Sequence, residues 1–228
     1  SIQCGGNRRA GMNKVRRTNG SAWDCSAIST AEWTGAPLRE VLHFMGVTEE
    51  SVLSEAEGGT GKYAGYENGH VQFISKDGLE ASIPIHKALR NRGDVLLAYE
   101  MNRGAIPVQH GAPVRVIVPG HVGVRNVKWV TSIRIAKEEA HGAWQRGMSY
   151  KGFNPSVRTL NGIDVESIAS LQEQPVQSAI TSPTDSDVLH VSVTDIEEAA
   201  AAVAKVTDVK AAAIDRGKAE AVEEEEEA

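Results

Sequence analysis

A cysteine followed by two glycines and two arginines, Gln3-Cys-Gly-Gly-Asn-Arg-Arg9, is the stretch of this sequence with the greatest chemical capacity. The glycines let the backbone approach a bulky group closely, and the arginines bring positive charge that suits a thiolate. A thiolate at Cys4 could ligate a sulfur-binding metal or act as a nucleophile. A free cysteine can also pack as a small buried hydrophobe, and local chemistry leaves these readings open. A second cluster is His110-Gly-Ala-Pro-Val-Arg115-Val-Ile-Val-Pro-Gly120, followed by Val127-Lys128-Trp129. Its cationic side chains bracket a Pro-Gly turn and could hold a phosphate-bearing cofactor. Taken alone, the segment reads more readily as an ordinary strand with exposed charges.

Other chemistries find less support. The Gly61-Lys62 pair resembles part of a phosphate loop, but Tyr63 stands where Ser or Thr should meet Mg²⁺ and no clear strand precedes it. Residues 54–69 are therefore expected to form a surface loop. Seven histidines are scattered without an H-E-x-x-H pattern, and Gly-x-Ser-x-Gly is absent, which argues against a zinc hydrolase and a nucleophile-elbow esterase. Cys4 and Cys25 are the only cysteines, too few for a disulfide scaffold or a Cys-rich zinc site.

The elements that must position these residues are short. Pro37, the stripe Leu38, Val41, Leu42 and Met45, and the stop at Gly46 predict a helix over 37–45. A second helix is expected over 84–91, with Ile85, Ala88 and Leu89 facing inward. Strands are expected at 70–74, 95–100, 113–118 and 127–136, the last from its alternation of apolar and polar residues. Short strands mixed with few helices, without regular alternation, predict an α+β fold rather than a doubly wound sheet.

The chain of 228 residues is 41% hydrophobic and 24% charged, enough for a substantial core. No apolar run approaches the roughly 18 residues needed to span a bilayer, so membrane insertion is not expected. Position 1 is Ser, and no secretory-leader pattern is visible. The net charge of −6 is unevenly spread: residues 185–228 hold 13 acidic and 4 basic side chains, against 17 and 20 in residues 1–184. From about residue 194 Ala, Glu, Asp and Lys dominate, with a weak stripe at Ile196, Ala199, Ala200 and Val203. The Glu223–Glu227 run should be solvated.

Taken together, the motifs resemble the molybdenum-cofactor domain of eukaryotic sulfite oxidases. The resemblance is carried by Gln3–Arg9, Ala27-Ile-Ser-Thr-Ala-Glu-Trp33, Leu97-Ala-Tyr-Glu-Met-Asn102, His110–Gly120, Val127-Lys-Trp129, Tyr150-Lys-Gly-Phe153 and Pro175-Val-Gln-Ser-Ala-Ile-Thr181, in one order. Assimilatory nitrate reductases share several of these blocks. Tyr-Lys-Gly-Phe and Gln-Ser-Ala-Ile-Thr are similar to the sulfite oxidase branch.

The resemblance implies a mixed-sheet α+β molybdopterin-binding domain over residues 1–182, truncated at its N-terminal side, and a helical or disordered acidic tail over 183–228. It implies oxidation of sulfite to sulfate by oxygen-atom transfer at a Cys-ligated molybdenum centre. The alternatives are a nitrate reductase-type domain and a cofactor-less interaction module. Carried over residue by residue, Cys4 is the metal ligand, and Asp77, His110, Arg115, Asn126, Val127 and Lys128 are contacts to Mo-molybdopterin. Tyr150, Arg9 and Trp23 are the substrate-pocket positions, since a buried oxyanion must be paired. Implied partners are sulfite and sulfate, with cytochrome c or molecular oxygen as electron acceptor; nucleic acid is not among them. The family's haem domain and homodimerisation domain lie outside the matched blocks, and its members occupy the mitochondrial intermembrane space or the peroxisome.

Overall fold

Proline and glycine punctuate the chain much as the sequence predicts. A computed structural model describes residues 1–154, 156–157, 159–180, 182, 192, 194, 197–198 and 200–204. In chain order the elements of the first unit are β1 (Ile2–Gln3), α1 (Arg9–Val15), β2 (Ile28–Ser29), β3 (Trp33–Pro37), α2 (Leu38–Phe44), β4 (His70–Ser75), β5 (Glu80–Pro84), α3 (Ile85–Leu89), β6 (Leu96–Met101), β7 (Gly104–Ala105), β8 (Arg115–Ile117) and β9 (Val130–Ala136). Short 3-10 turns occur at Glu55–Glu57, Gly61–Tyr63, Val108–His110 and Gly123–Arg125. The chain forms two units, residues 1–178 and 179–228. In the second, residues 200–204 are helical and exposed. Ile196, Ala199, the Glu223–Glu227 run and Thr181 of the last motif lie outside the described residues.

The architecture is α+β. Strands β5, β4 and β9 form a three-stranded sheet with β4 in the middle, so β4 is buried along most of its length. Strand β6 pairs with β3 along its length and also with β7 and β8; β1 pairs with β2. These ladders are antiparallel, and the bridge between Gln3 and Val122 adds a parallel link. The main core gathers Leu38 and Leu42 of α2, Val71 and Phe73 of β4, Ile83 of β5, Ile85 and Leu89 of α3, and Val116 and Val118. Each such side chain fully removed from water stabilises the fold by about 1.5–3 kcal/mol.

Six elements were not anticipated from the sequence: α1, the two-residue strands β1, β2 and β7, and strands β3 and β5. Helix α1 buries no residue and has no apolar stripe. It is held through its backbone, with Arg8 N–H donating to the Asp24 carbonyl and Ala10 N–H to that of Trp23. Strands β3 and β5 are short and contain Gly35 or a single apolar pair, too little periodicity to read. The strand expected at 127–136 begins only at Val130, because Trp129 adopts φ 51° and turns the chain aside. Residues 126–129 are thereby released to line a cavity. The 54–69 loop carries two 3-10 turns, the first capped by Ser54 and Glu57.

Candidate functional site

Cys4 leaves strand β1 at a tight turn in which Asn7 N–H returns to the Cys4 carbonyl at 3.0 Å. The Cys4 N–H donates to the Ala27 carbonyl, and the Asn7 side chain accepts from Ala27 N–H, so the 2–10 and 23–29 segments are laced together. The sulfur itself has two polar neighbours. Gly6 N–H reaches Sγ at 3.4 Å, and the Tyr150 hydroxyl lies 3.7 Å from it across 146 residues of chain. Cys4 and Tyr150 line a cavity of about 360 Å³ together with residues 26–29, Gly123 and Val124.

A second cavity, of about 130 Å³, shares the Gly123–Val124 wall. It is lined by Asp77, Asn126, Val127 and Lys128, four of the six positions assigned to the cofactor, and by Ser75 and Trp129. Asp77 stands on the β4–β5 hairpin, where its carboxylate accepts from Leu79 N–H. The neighbouring Ser75 hydroxyl, the Leu79 N–H and the nearby Lys128 charge together hold this carboxyl below its usual range. Ser75 ties the hairpin to the opposite wall by donating to the Lys128 carbonyl at 2.7 Å. The shared wall must come close to the Cys4 strand: a Cβ on Gly123 would stand 3.2 Å from the Gln3 carbonyl oxygen.

His110 and Arg115 belong to a single fastening. Three successive carbonyls of the 108–110 turn receive donors from three side chains: Val108 from Trp129 Nε1 at 2.7 Å, Gln109 from Lys128 Nζ at 3.0 Å, and His110 from Arg115 Nη1 at 2.7 Å. The His110 side chain is thereby presented outward, while its carbonyl is used internally. Arg115 is buried, stacks on the Trp33 ring with 4.8 Å to the centroid, and donates Nη2 to the Asn126 carbonyl. Burial pushes its guanidinium down to about 10, still cationic at neutral pH. Its Nε is buried without a partner, as is Gln3 Nε2 beside Cys4. Asn126 turns its side chain inward. Oδ1 accepts from Val118 N–H at 2.7 Å and Nδ2 donates to the Val122 carbonyl at 3.3 Å, so its amide shapes the wall.

Arg9 and Trp23 do not line the Cys4 cavity. The Arg9 guanidinium sits against Gly6 and Gly20 and donates to the Ser21 carbonyl at 2.7 Å, while the Trp23 side chain is about half exposed. Tyr150 adopts φ 57°, in the left-handed region that costs a non-glycine residue about 1–3 kcal/mol. Burial, then the contact with Cys4, pushes its hydroxyl up to about 12, so it remains a proton donor at neutral pH. Sequence reasoning passed over Ser75, Gly123 and Arg125. Arg125, a charged residue in the otherwise uncharged run from Val116 to Val127, carried the clearest unread signal. Among the described residues no three His, Cys, Asp or Glu side chains converge, so any metal at Cys4 needs other ligands from a bound group.

The model of the oxidoreductase molybdopterin binding domain matches residues 1–144. Mitochondrial sulfite oxidase of Rattus norvegicus is 43% identical over 189 residues, covering 81% of this chain and 32% of that protein. Nitrate reductase [NADPH] of Phytophthora infestans is 30% identical over 191 residues, covering 82% of this chain and 20% of that protein. The crystal structure of the sulfane dehydrogenase SoxCD from Paracoccus pantotrophus superposes with a TM-score of 0.55 at 23% identity, covering 80% of this chain and 40% of that one, which shows a shared fold. The chain thus spans about a third of the length of the sulfite oxidase it matches.

Proposed function

The chain belongs to the oxidoreductase molybdopterin binding domain family, and from that membership we propose that residues 1–182 bind a molybdenum cofactor through Cys4 and oxidise sulfite to sulfate. The observation that carries the proposal is the Cys4 sulfur facing a cavity, with the Tyr150 hydroxyl 3.7 Å away, back to back with a second cavity lined by Asp77 and Lys128. The residues fit the group. A metal held by a pterin dithiolene needs one protein thiolate, and the phosphate of that pterin needs cationic and N–H donors along a cleft. Cys4 supplies the first; Lys128, on the lining of the smaller cavity, supplies a cation of the second kind, and Arg115 Nε and Gln3 Nε2 are buried donors without a partner, nearby in the same segments.

When bound, the cofactor supplies the two-electron oxygen-atom transfer. The chain's own residues bind and orient. Gly6 N–H fixes the direction of the Cys4 sulfur. Tyr150, protonated at neutral pH, offers its O–H to an oxyanion in the larger cavity. Trp23, on the segment paired with the Cys4 turn, is assigned to the approach of the anion, while Arg9, its guanidinium held on the Ser21 carbonyl, is not. Asp77, His110, Arg115 and Lys128 are assigned to the pterin and its phosphate. Asn126 and Val127 form the wall behind it.

The identity to sulfite oxidase, 43% against 30% for nitrate reductase, favours sulfite over nitrate as substrate. Electrons then pass to cytochrome c or molecular oxygen, and a homodimer remains the family expectation. The mitochondrial name of the rat relative supports a mitochondrial location, within which the family resemblance implies the intermembrane space, with the peroxisome as the alternative. The test is elemental analysis of the full chain produced in a host that makes the cofactor. We expect about one molybdenum per chain, lost in Cys4→Ser, and a change of metal oxidation state on adding sulfite but not nitrate. A folded wild-type chain without molybdenum, or metal content indifferent to Cys4→Ser, would refute the reading and leave an interaction module.

A further inference from the structure

Arg125 is fully buried, is in no ion pair with a carboxylate among the described residues, and takes no part in either cavity lining. Its guanidinium places four hydrogen bonds on two segments of chain, at 144–145 and at Leu171. Nε and Nη2 both donate to the Leu171 carbonyl, at 3.3 and 2.8 Å. Nη1 donates to the Trp144 carbonyl at 3.2 Å and to Gln145 Oε1 at 2.9 Å. Leu171 N–H in turn donates to the Tyr150 carbonyl at 2.8 Å, and Lys151 bridges to Ser170. The Tyr150 ring lies 6.0 Å from the guanidinium carbon. Arg125 also closes the Gly123–Arg125 turn whose first two residues form the wall between the cavities.

From these contacts we infer that Arg125 is a positioning residue that latches the Tyr150 segment to the wall behind Cys4, so that the hydroxyl stays over the sulfur. The inference rests on the assignment of Cys4 and Tyr150 made above. The latch has a physical reason to be arginine. A planar fork can grip one carbonyl with two N–H groups and a second carbonyl with another, which an ammonium cannot. Its charge is balanced at one remove: Gln145 accepts from Arg125 and donates to Glu139 Oε2 at 3.0 Å, and Ser170 donates to the same oxygen at 2.6 Å. Tyr150 needs such a hold because its left-handed backbone would otherwise relax away.

Two thiols give the test an internal control, since Cys4 and Cys25 are both free and partly buried. Alkylation by iodoacetamide is followed at each cysteine by mass spectrometry on the full chain without metal, in wild type, Tyr150→Phe and Arg125→Lys. Circular dichroism and urea midpoints establish that each variant is folded. We expect Arg125→Lys to raise the Cys4 rate roughly three- to ten-fold with Cys25 unchanged, as local opening at one site alone would do. Adding Tyr150→Phe to Arg125→Lys should then cost less than the product of the two single effects, because both act through one hydroxyl. A rate at Cys4 unchanged in Arg125→Lys, or equal acceleration of both cysteines, overturns the latch. Where Arg125→Lys does not fold, Glu139→Gln weakens the same grip, with the same pair of outcomes. In the metal-loaded chain, Arg125→Lys should keep its molybdenum and lower kcat about ten-fold, more than it changes KM. A wild-type chain without molybdenum refutes the functional reading, while the labelling still decides the latch.

Discussion

Removing the Asn126 amide should weaken the folded chain even when no cofactor is present. Asn126 is 4% exposed, and the two backbone groups it serves belong to Val118 and Val122, at 1% and 0%. Alanine at this position leaves the Val118 N–H without its 2.7 Å acceptor and takes from the Val122 carbonyl its 3.3 Å donor, the Arg125 N–H remaining on that carbonyl at 2.9 Å. An abandoned buried donor costs about 1–3 kcal/mol and loss of the longer bond about 1 kcal/mol, so Asn126→Ala should destabilise by about 2–4 kcal/mol. With a urea slope of about 2 kcal/mol/M the midpoint falls by about 1–2 M. The assay is urea unfolding of the metal-free chain followed by tryptophan fluorescence, with Lys128→Ala as the control. Lys128 is only half-buried, its ammonium over the Trp129 ring and on the Gln109 carbonyl, and its removal should cost about 1 kcal/mol or less. An Asn126→Ala midpoint equal to wild type would refute the internal role and free the amide to meet a ligand instead.

Gly111→Ala should destabilise by about 2–3 kcal/mol, since Gly111 has φ 113° and an added Cβ would stand 2.9 Å from Lys128 Cβ and 3.1 Å from Arg115 Cβ. An unchanged urea midpoint would show that the turn yields without cost. His121 gives a pH signature. Burial first, then the Lys87 charge, pushes its imidazole down to about 4, against about 6.5 when unfolded. The unfolded chain therefore takes up a proton that the folded one refuses. The stability associated with neutral His121 is complete above about pH 6.5 and declines as pH falls toward 4. Allowing for solvent screening the loss is about 1–2 kcal/mol. Urea midpoints of wild type and His121→Gln between pH 7.5 and 4.5 should converge or cross on the acid side, and parallel curves would count against the buried neutral form.

The sequence marked the places where chemistry is possible because residue type alone limits what a side chain can do. A cysteine in Gln3-Cys-Gly-Gly-Asn, a carboxylate in the Lys76-Asp77-Gly78 turn and the cations of 110–128 could be picked out without coordinates, as could helices α2 and α3, whose apolar stripes have a readable period. Helix α1 could not, because it is held by backbone bonds to residues 23 and 24 and offers no pattern of its own. Strand β9 was expected three residues too early, since the alternation that predicts a strand does not register the left-handed turn at Trp129.

Which groups meet was decided only in three dimensions. Tyr150 comes to the Cys4 sulfur across 146 residues, and the Gly123–Arg125 turn stands between the two cavities, because strand pairing and the grip of Arg125 bring distant segments together. The same packing withdrew two residues that composition would have offered to a ligand. Asn126 spends its amide on buried backbone groups, and Arg9 lodges its guanidinium against Gly6, Gly20 and the Ser21 carbonyl. Buried polar groups must find partners, and those partners are chosen by the fold rather than by neighbours in the chain. The sequence thus determined the inventory of reactive and charged side chains, and tertiary structure determined which of them remain free to face a ligand.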